Sequence, residues 1–160
     1  MTAGSYMKYF SLKNAQGLTL LELLITMAII IILSTIAVPS YSTFMANERF
    51  AVASNDLNNA YRFARNEALK TSSSMTLDAV TVDDDGNWTK WQVKNSSGDI
   101  LFESKTTHSS IIISGTAITV LGMGSLSDGG ATFSIIGTSK CSNLSILSSG
   151  QSQLESVVCS

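Results

Sequence analysis

The sequence predicts an α+β protein: a long N-terminal helix, membrane-spanning in its first half, packed on an antiparallel β-sheet head. Three observations carry this. Leu18 to Val38 is an apolar run of about 20 residues whose only charge is Glu22, the length at which a helix crosses about 30 Å of hydrocarbon. Beyond it, apolar and small residues keep a helical period as far as Ala68. From Met75 the pattern changes to short β-type runs split by turn residues. A chain of 160 residues holds one modest head and one appendage. Outside the apolar run the chain is rich in Ser, Thr, Asn and Gly, so the positive mean hydropathy comes largely from that run.

The helix is expected to reach from about Leu18 to about Thr71, roughly 80 Å at 1.5 Å per residue. Phe50, Ala53, Leu57, Ala60, Tyr61, Ala64 and Ala68 form one stripe, and Glu48, Arg49, Asn55, Asn58, Asn59, Arg62, Arg65 and Asn66 fill the other faces. The pattern ends at "KTSSS". Pro39 lies inside this span and removes one backbone donor, so a kink or a locally melted turn is expected there. Lys8 and Lys13 precede the apolar run, and the positive-inside rule then places the N-terminus in the cytoplasm and the rest across the membrane.

The β-type runs are "MTLDAVTV", "WTKWQVKN", "ILFESKT", "SSIIISG", "AITVLG", "ATFSIIG" and "LSILSS". Between them stand "DDDGN", "NSSGD", "GMGSLSDGG" and "GTSKCSN". That spacing argues an antiparallel sheet of hairpins with the helix covering one face. Trp88 and Trp91 read as core or helix-packing residues. Cys141 and Cys159 both fall in the exported portion, where two cysteines read most simply as one disulfide, worth about 3 kcal/mol in the chain-entropy picture; two buried reduced thiols are the alternative.

The start of the chain is unlike an ordinary secretory signal, which has a shorter apolar run followed by a small-residue cleavage site. Here the run is longer, no Ala-x-Ala follows it, and the processing point is Gly17, before the run. "QGLTLLELLITMAIIIILSTIAVPSY" resembles the class III signal and first helix of type IV pilins and type II secretion pseudopilins. That pattern has a glycine at the cut, glutamate at the fifth mature position and proline at the twenty-second; counted from Leu18, Glu22 and Pro39 stand there. Leu18 departs from the usual phenylalanine, which implies slower or weaker N-methylation at worst.

A lone carboxylate in hydrocarbon costs at least a few kcal/mol without a partner. No Lys or Arg lies in the run, so the nearest cation is an α-amine made by cutting after Gly17, its own or a neighbour's. Snorkelling of Glu22 to the headgroups is the bland alternative. Farther on, "NERFAVASNDLNNAYRFARNEALKTSSSMTL", a tryptophan hairpin, "GMGSLSDGGATFSI" and a cysteine-bounded terminal hairpin are similar to the GspH/FimT group of minor pilins and pseudopilins.

No catalytic constellation stands out, and neither an enzyme nor a cofactor is expected. His108 is the one histidine and sits in a polar stretch, no G-x-S-x-G occurs, and "GMGSLSDGG" lacks the lysine and the helix of a phosphate loop. No metal site is expected either. Aligning Gly86 with the sixth position of a calcium loop leaves Thr81 at the first and Gln92 at the twelfth, so "DDDGN" is better read as a hairpin turn.

Some members of the resembled group bind DNA during natural transformation through Gly-Arg-x-Arg between the cysteines. Gly150, Gln151, Ser152 and Gln153 stand at those positions here, without either arginine. Residues 74–160 hold four lysines, no arginine and eight acids, a net charge of −4 that disfavours a polyanion, although glutamine can still hydrogen-bond phosphate or base edges.

What the resemblance implies is a leader over 1–17, a helix over 18–73 with the membrane segment at 18–38, and a β-rich periplasmic or extracellular head over 74–160. It implies a minor pilin that is cut after Gly17, N-methylated at Leu18, held in the inner-membrane lipid and then built into a filament, where it helps initiate a type IV pilus at the tip. Expected partners are other minor and major pilins, prepilin peptidase and the inner-membrane assembly platform. The alternatives are a DNA-binding minor pilin and a type II secretion minor pseudopilin.

Overall fold

The computed structural model describes residues 19–105 and 107–159. They form one helix and eight strands: α1 (Leu20–Thr71), β1 (Met75–Val82), β2 (Trp88–Asn95), β3 (Ile100–Glu103), β4 (Ile112–Ser114), β5 (Ile118–Val120), β6 (Gly130–Ile136), β7 (Cys141–Leu147) and β8 (Ser152–Val157). The chain divides after Pro39 into two compact units.

In the first unit, the described residues are one apolar helical stretch, exposed throughout and long enough to cross a membrane. Thr19 caps it: its hydroxyl accepts the backbone N–H of Glu22 at 3.2 Å, satisfying one of the first-turn donors that no helical carbonyl can reach. Leu18, the expected first helical residue, lies outside the described residues. The chain stays helical at Pro39, so the melted turn expected there does not occur. Proline's fixed φ near −65° is itself helical, and the loss is confined to one backbone bond.

In the second unit, the expected stripe is buried: Ala53, Leu57, Ala60, Tyr61, Ala64 and Ala68 all join the core, with Phe50 packed against it. Four alanines and one leucine leave little side-chain bulk between backbone and sheets, while Tyr61 supplies the largest helical contribution to the core. The helix stops where Ser72 takes a positive φ, the left-handed residue common just past a helix end.

The strands make two four-stranded antiparallel sheets instead of the single sheet expected, in the orders β3-β2-β1-β5 and β4-β6-β7-β8. β5 leaves its sequence neighbours to pair with β1 through Met75–Val120 and Leu77–Ile118. Alternating residues of both sheets enter one shared core, among them Leu77, Val93, Phe133, Ile135, Leu144 and Ile146. Trp88 and Trp91 are core residues, and Trp88 meets the Phe133 ring edge-on at 5.2 Å.

Four of the turns share one hairpin geometry. In Asp83–Asn87, Asn95–Asp99, Leu121–Ser125 and Leu147–Gln151, the first residue's N–H donates to the fifth residue's carbonyl. The fourth residue is a glycine at φ between +80 and +89°, whose N–H returns to the first carbonyl. This three-residue loop needs the left-handed conformation at its last position, and glycine adopts it without a Cβ penalty.

Candidate functional site

Glu22 lies in the first turn of α1 with its side chain exposed, and no ion pair to it exists among the described residues. The spacing Thr19-x-x-Glu22 is that of a capping box, but only the Thr19 half is present as a hydrogen bond. The carboxylate is therefore not occupied in closing the helix end. Gly17 and Leu18, the expected processing residues, lie outside the described residues.

Cys141 and Cys159 are joined by a disulfide, with Cα atoms 5.3 Å apart and 18 positions separating them in sequence. The bond ties the start of β7 to the residues that follow β8, so the terminal hairpin is closed at its open end while its turn, Leu147–Gln151, faces α1. Tyr61 donates its hydroxyl proton to the Gly150 carbonyl at 2.7 Å, and Arg65 donates from Nε to the Gly124 carbonyl at 3.1 Å. Two residues one turn apart on the helix thus hold two separate glycine turns. Burial pushes the Tyr61 hydroxyl pKa up, and the nearby Arg65 charge partly offsets that.

Between α1 and the β7–β8 turn lies a polar cleft of about 640 Å³. Its lining joins Gly150, Gln151 and Gln153, the expected hairpin residues, to Asn58, Arg62 and Arg65 from the helix. No carboxylate lines it. Across the rim, Ser152 and Asn58 share a 3.0 Å hydrogen bond between strand and helix. Arg62 and Arg65 had been assigned only to the outer faces of the helix. Their i, i+3 spacing puts them side by side, but the sequence does not say which hairpin they meet.

A second groove, about 680 Å³ and mostly apolar, is lined by Val52, Trp91 and Phe102, with Asp56 at its side. Burial raises the Asp56 carboxyl pKa above its usual value. Elsewhere the polar residues serve local structure. His108 is exposed, and its Nδ1 lies 2.9 Å from the Ser110 hydroxyl. Asp83 accepts from the Asn87 and Asp85 N–H groups and from the Asn87 amide, which holds its carboxyl below the usual carboxylate range. Among the described residues no group of three or more His, Cys, Asp or Glu is placed to hold a metal ion.

A helix of this length, antiparallel sheets against its second part and a cysteine-closed terminal hairpin define a type IV pilin-like subunit. The Type II transport protein GspH family matches residues 53–150, and the prokaryotic N-terminal methylation motif matches residues 12–38. The chain belongs to the GspH family. Two crystal structures of the type IV minor pilin FimU of Pseudomonas aeruginosa share the fold. The first is 22% identical with a TM-score of 0.59, over 70% of this chain and 92% of that one. The other is 23% identical with a TM-score of 0.53, over 66% and 91%. No curated protein matches the sequence. The family and fold are those of structural pilin and pseudopilin subunits, which work with other pilins and with the prepilin peptidase.

Proposed function

We propose that this subunit is a minor pilin that helps initiate a type IV pilus at its tip, with Glu22 as the residue that commits it to assembly. The leader, residues 1–17, is removed after Gly17, and Leu18 becomes the N-methylated mature terminus. Residues 18–73 are then anchor and filament core, and residues 74–160 the exposed head. The observation that carries this reading is the Glu22 carboxylate, unpaired among the described residues at the start of a membrane-length apolar helix.

Magnitudes favour an assembly role over a capping role. A carboxylate near a helix N-terminus gains about 0.3–1 kcal/mol from the helix dipole. Leaving it unpaired in hydrocarbon costs about 2.5 kcal/mol or more. The dipole alone does not offset that cost, and an amine created at Leu18 of a neighbouring subunit does so only once the helices are side by side. Pro39 sits where the membrane segment ends, so the single bond it removes, to the carbonyl four residues back, is confined to the last turn of that segment.

Replacing Glu22 by Ala is expected to abolish fibres while leaving the protein inserted in the membrane at normal level, as read by electron microscopy and membrane fractionation. Fibres in wild-type number would reject the role. The family description, a type II transport protein, supports the second reading, a secretion pseudopilus. Deletion of the gene separates the two. Loss of pili is expected here, whereas exoproteins trapped in the periplasm with intact pili would assign the subunit to secretion.

A further inference from the structure

We propose that the cleft between α1 and the β7–β8 turn is a receptor site for a carboxylate carried by another protein subunit. Arg62 is exposed and makes no hydrogen bond among the described residues, and Arg65 uses only its Nε, on Gly124, which leaves both terminal nitrogens to a ligand. Anchoring at Nε fixes the guanidinium plane in advance, so less side-chain freedom is lost when an anion arrives. No acid lines the cleft to neutralise the pair, and Asn58, Gln151 and Gln153 add amide donors around it. A planar carboxylate accepting two N–H bonds from one guanidinium is the ligand this donor set matches.

Charge decides between a carboxylate and a nucleic acid. DNA affinity grows with each phosphate neutralised. Here two arginines face the cleft, while residues 74–160 carry a net charge of −4, which repels a polyanion along the rest of its length. A single side chain enters locally and avoids that repulsion. The chain itself displays the kind of segment that fits: the exposed turn at Asp83–Asn87 holds up Asp84 and Asp85, whose carboxylates have no partner among the described residues. That the partner is a filament neighbour rests on the assembly role proposed above; the carboxylate chemistry does not.

The test uses the full-length chain in nonionic detergent and a fluorescent pentapeptide, Asp-Asp-Asp-Gly-Asn, read by anisotropy. Saturable binding is expected, weakened about tenfold by Arg62→Gln and by Gln151→Glu, since each disturbs one charge-assisted contact. Both positions are exposed, so the unfolding temperature should stay unchanged and report intact protein. Failure to bind, or binding that neither variant weakens, overturns the proposal. So does a DNA duplex that binds more tightly than the peptide and is lost in Arg62→Gln, because the site would then serve phosphates. Glu22→Ala protein should bind the peptide normally, so a failed cleft and a failed assembly role give different results.

Discussion

The β1–β2 and β7–β8 turns have the same backbone and opposite surroundings. In both, the first N–H reaches the fifth carbonyl at 2.9 Å, and the glycine sits at φ +81° in one and +80° in the other. Asp83 holds the first turn from within, through its own side-chain oxygens, and a Cβ on Gly86 would meet open space. In the second turn the equivalent position is Leu147, which has no oxygen to offer. The hold comes from Tyr61 instead, 89 residues away, and a Cβ on Gly150 would run into the Gly124 carbonyl oxygen and crowd Arg65. The first turn is therefore a self-contained acidic tip. The second is one wall of a cationic cleft and depends on the helix for its place.

The sharpest way to break this contrast is glycine replacement. Gly150→Ala combines a left-handed strain of about 1 kcal/mol with overpacking against backbone that costs about 1–3 kcal/mol more, so a total loss of about 2–4 kcal/mol is expected. Gly86→Ala should lose only the strain, about 1 kcal/mol. Thermal unfolding of both variants measures the gap; equal losses would mean that the two turns do not differ in packing. Tyr61→Phe comes next, with an expected loss of about 1–3 kcal/mol, because the Gly150 carbonyl is left without its buried donor. That variant should also weaken peptide binding in the cleft, since the turn carrying Gln151 loses its tie to α1.

The smallest effect belongs to Asp83, which is fully exposed. Its folded-state pKa is held below the ordinary 3.8 by the Asn87 hydrogen bonds. The stability it contributes is therefore present at neutral pH and is lost as pH falls through that lowered value. Asp83→Ala should be slightly less stable than wild type at pH 7, with the difference closing as the pH falls below that lowered value. A difference that persisted in acid would show that Asp83 acts through its shape and not its charge.

How legible each element was follows from how local its cause is. The runs at 75–82 and 88–95 coincide with β1 and β2, because β-branched and aromatic residues bounded by Asp/Asn-Gly turns are signals within a few residues of each other. β8 was not read as a separate run: "SQLESV" is almost entirely exposed and has no buried face to impose an alternation. The single sheet expected became two because strand pairing is a long-range choice, seen in β5 pairing with β1 across more than 30 residues.

The candidate site divides along the same line. Glu22, its spacing from Gly17 and Pro39, and the absence of arginine from the terminal hairpin are one-dimensional facts, and the sequence by itself determined them, together with the membrane-length run and the helical stripe. Only the tertiary structure decided that the hairpin's Gln151 and Gln153 share a cleft with Arg62 and Arg65. The physical reason is that the Tyr61 and Arg65 bonds to Gly150 and Gly124 close distances that no local pattern records. A side chain's period along a helix tells which face it occupies, and the partner of that face is fixed only when the core has formed.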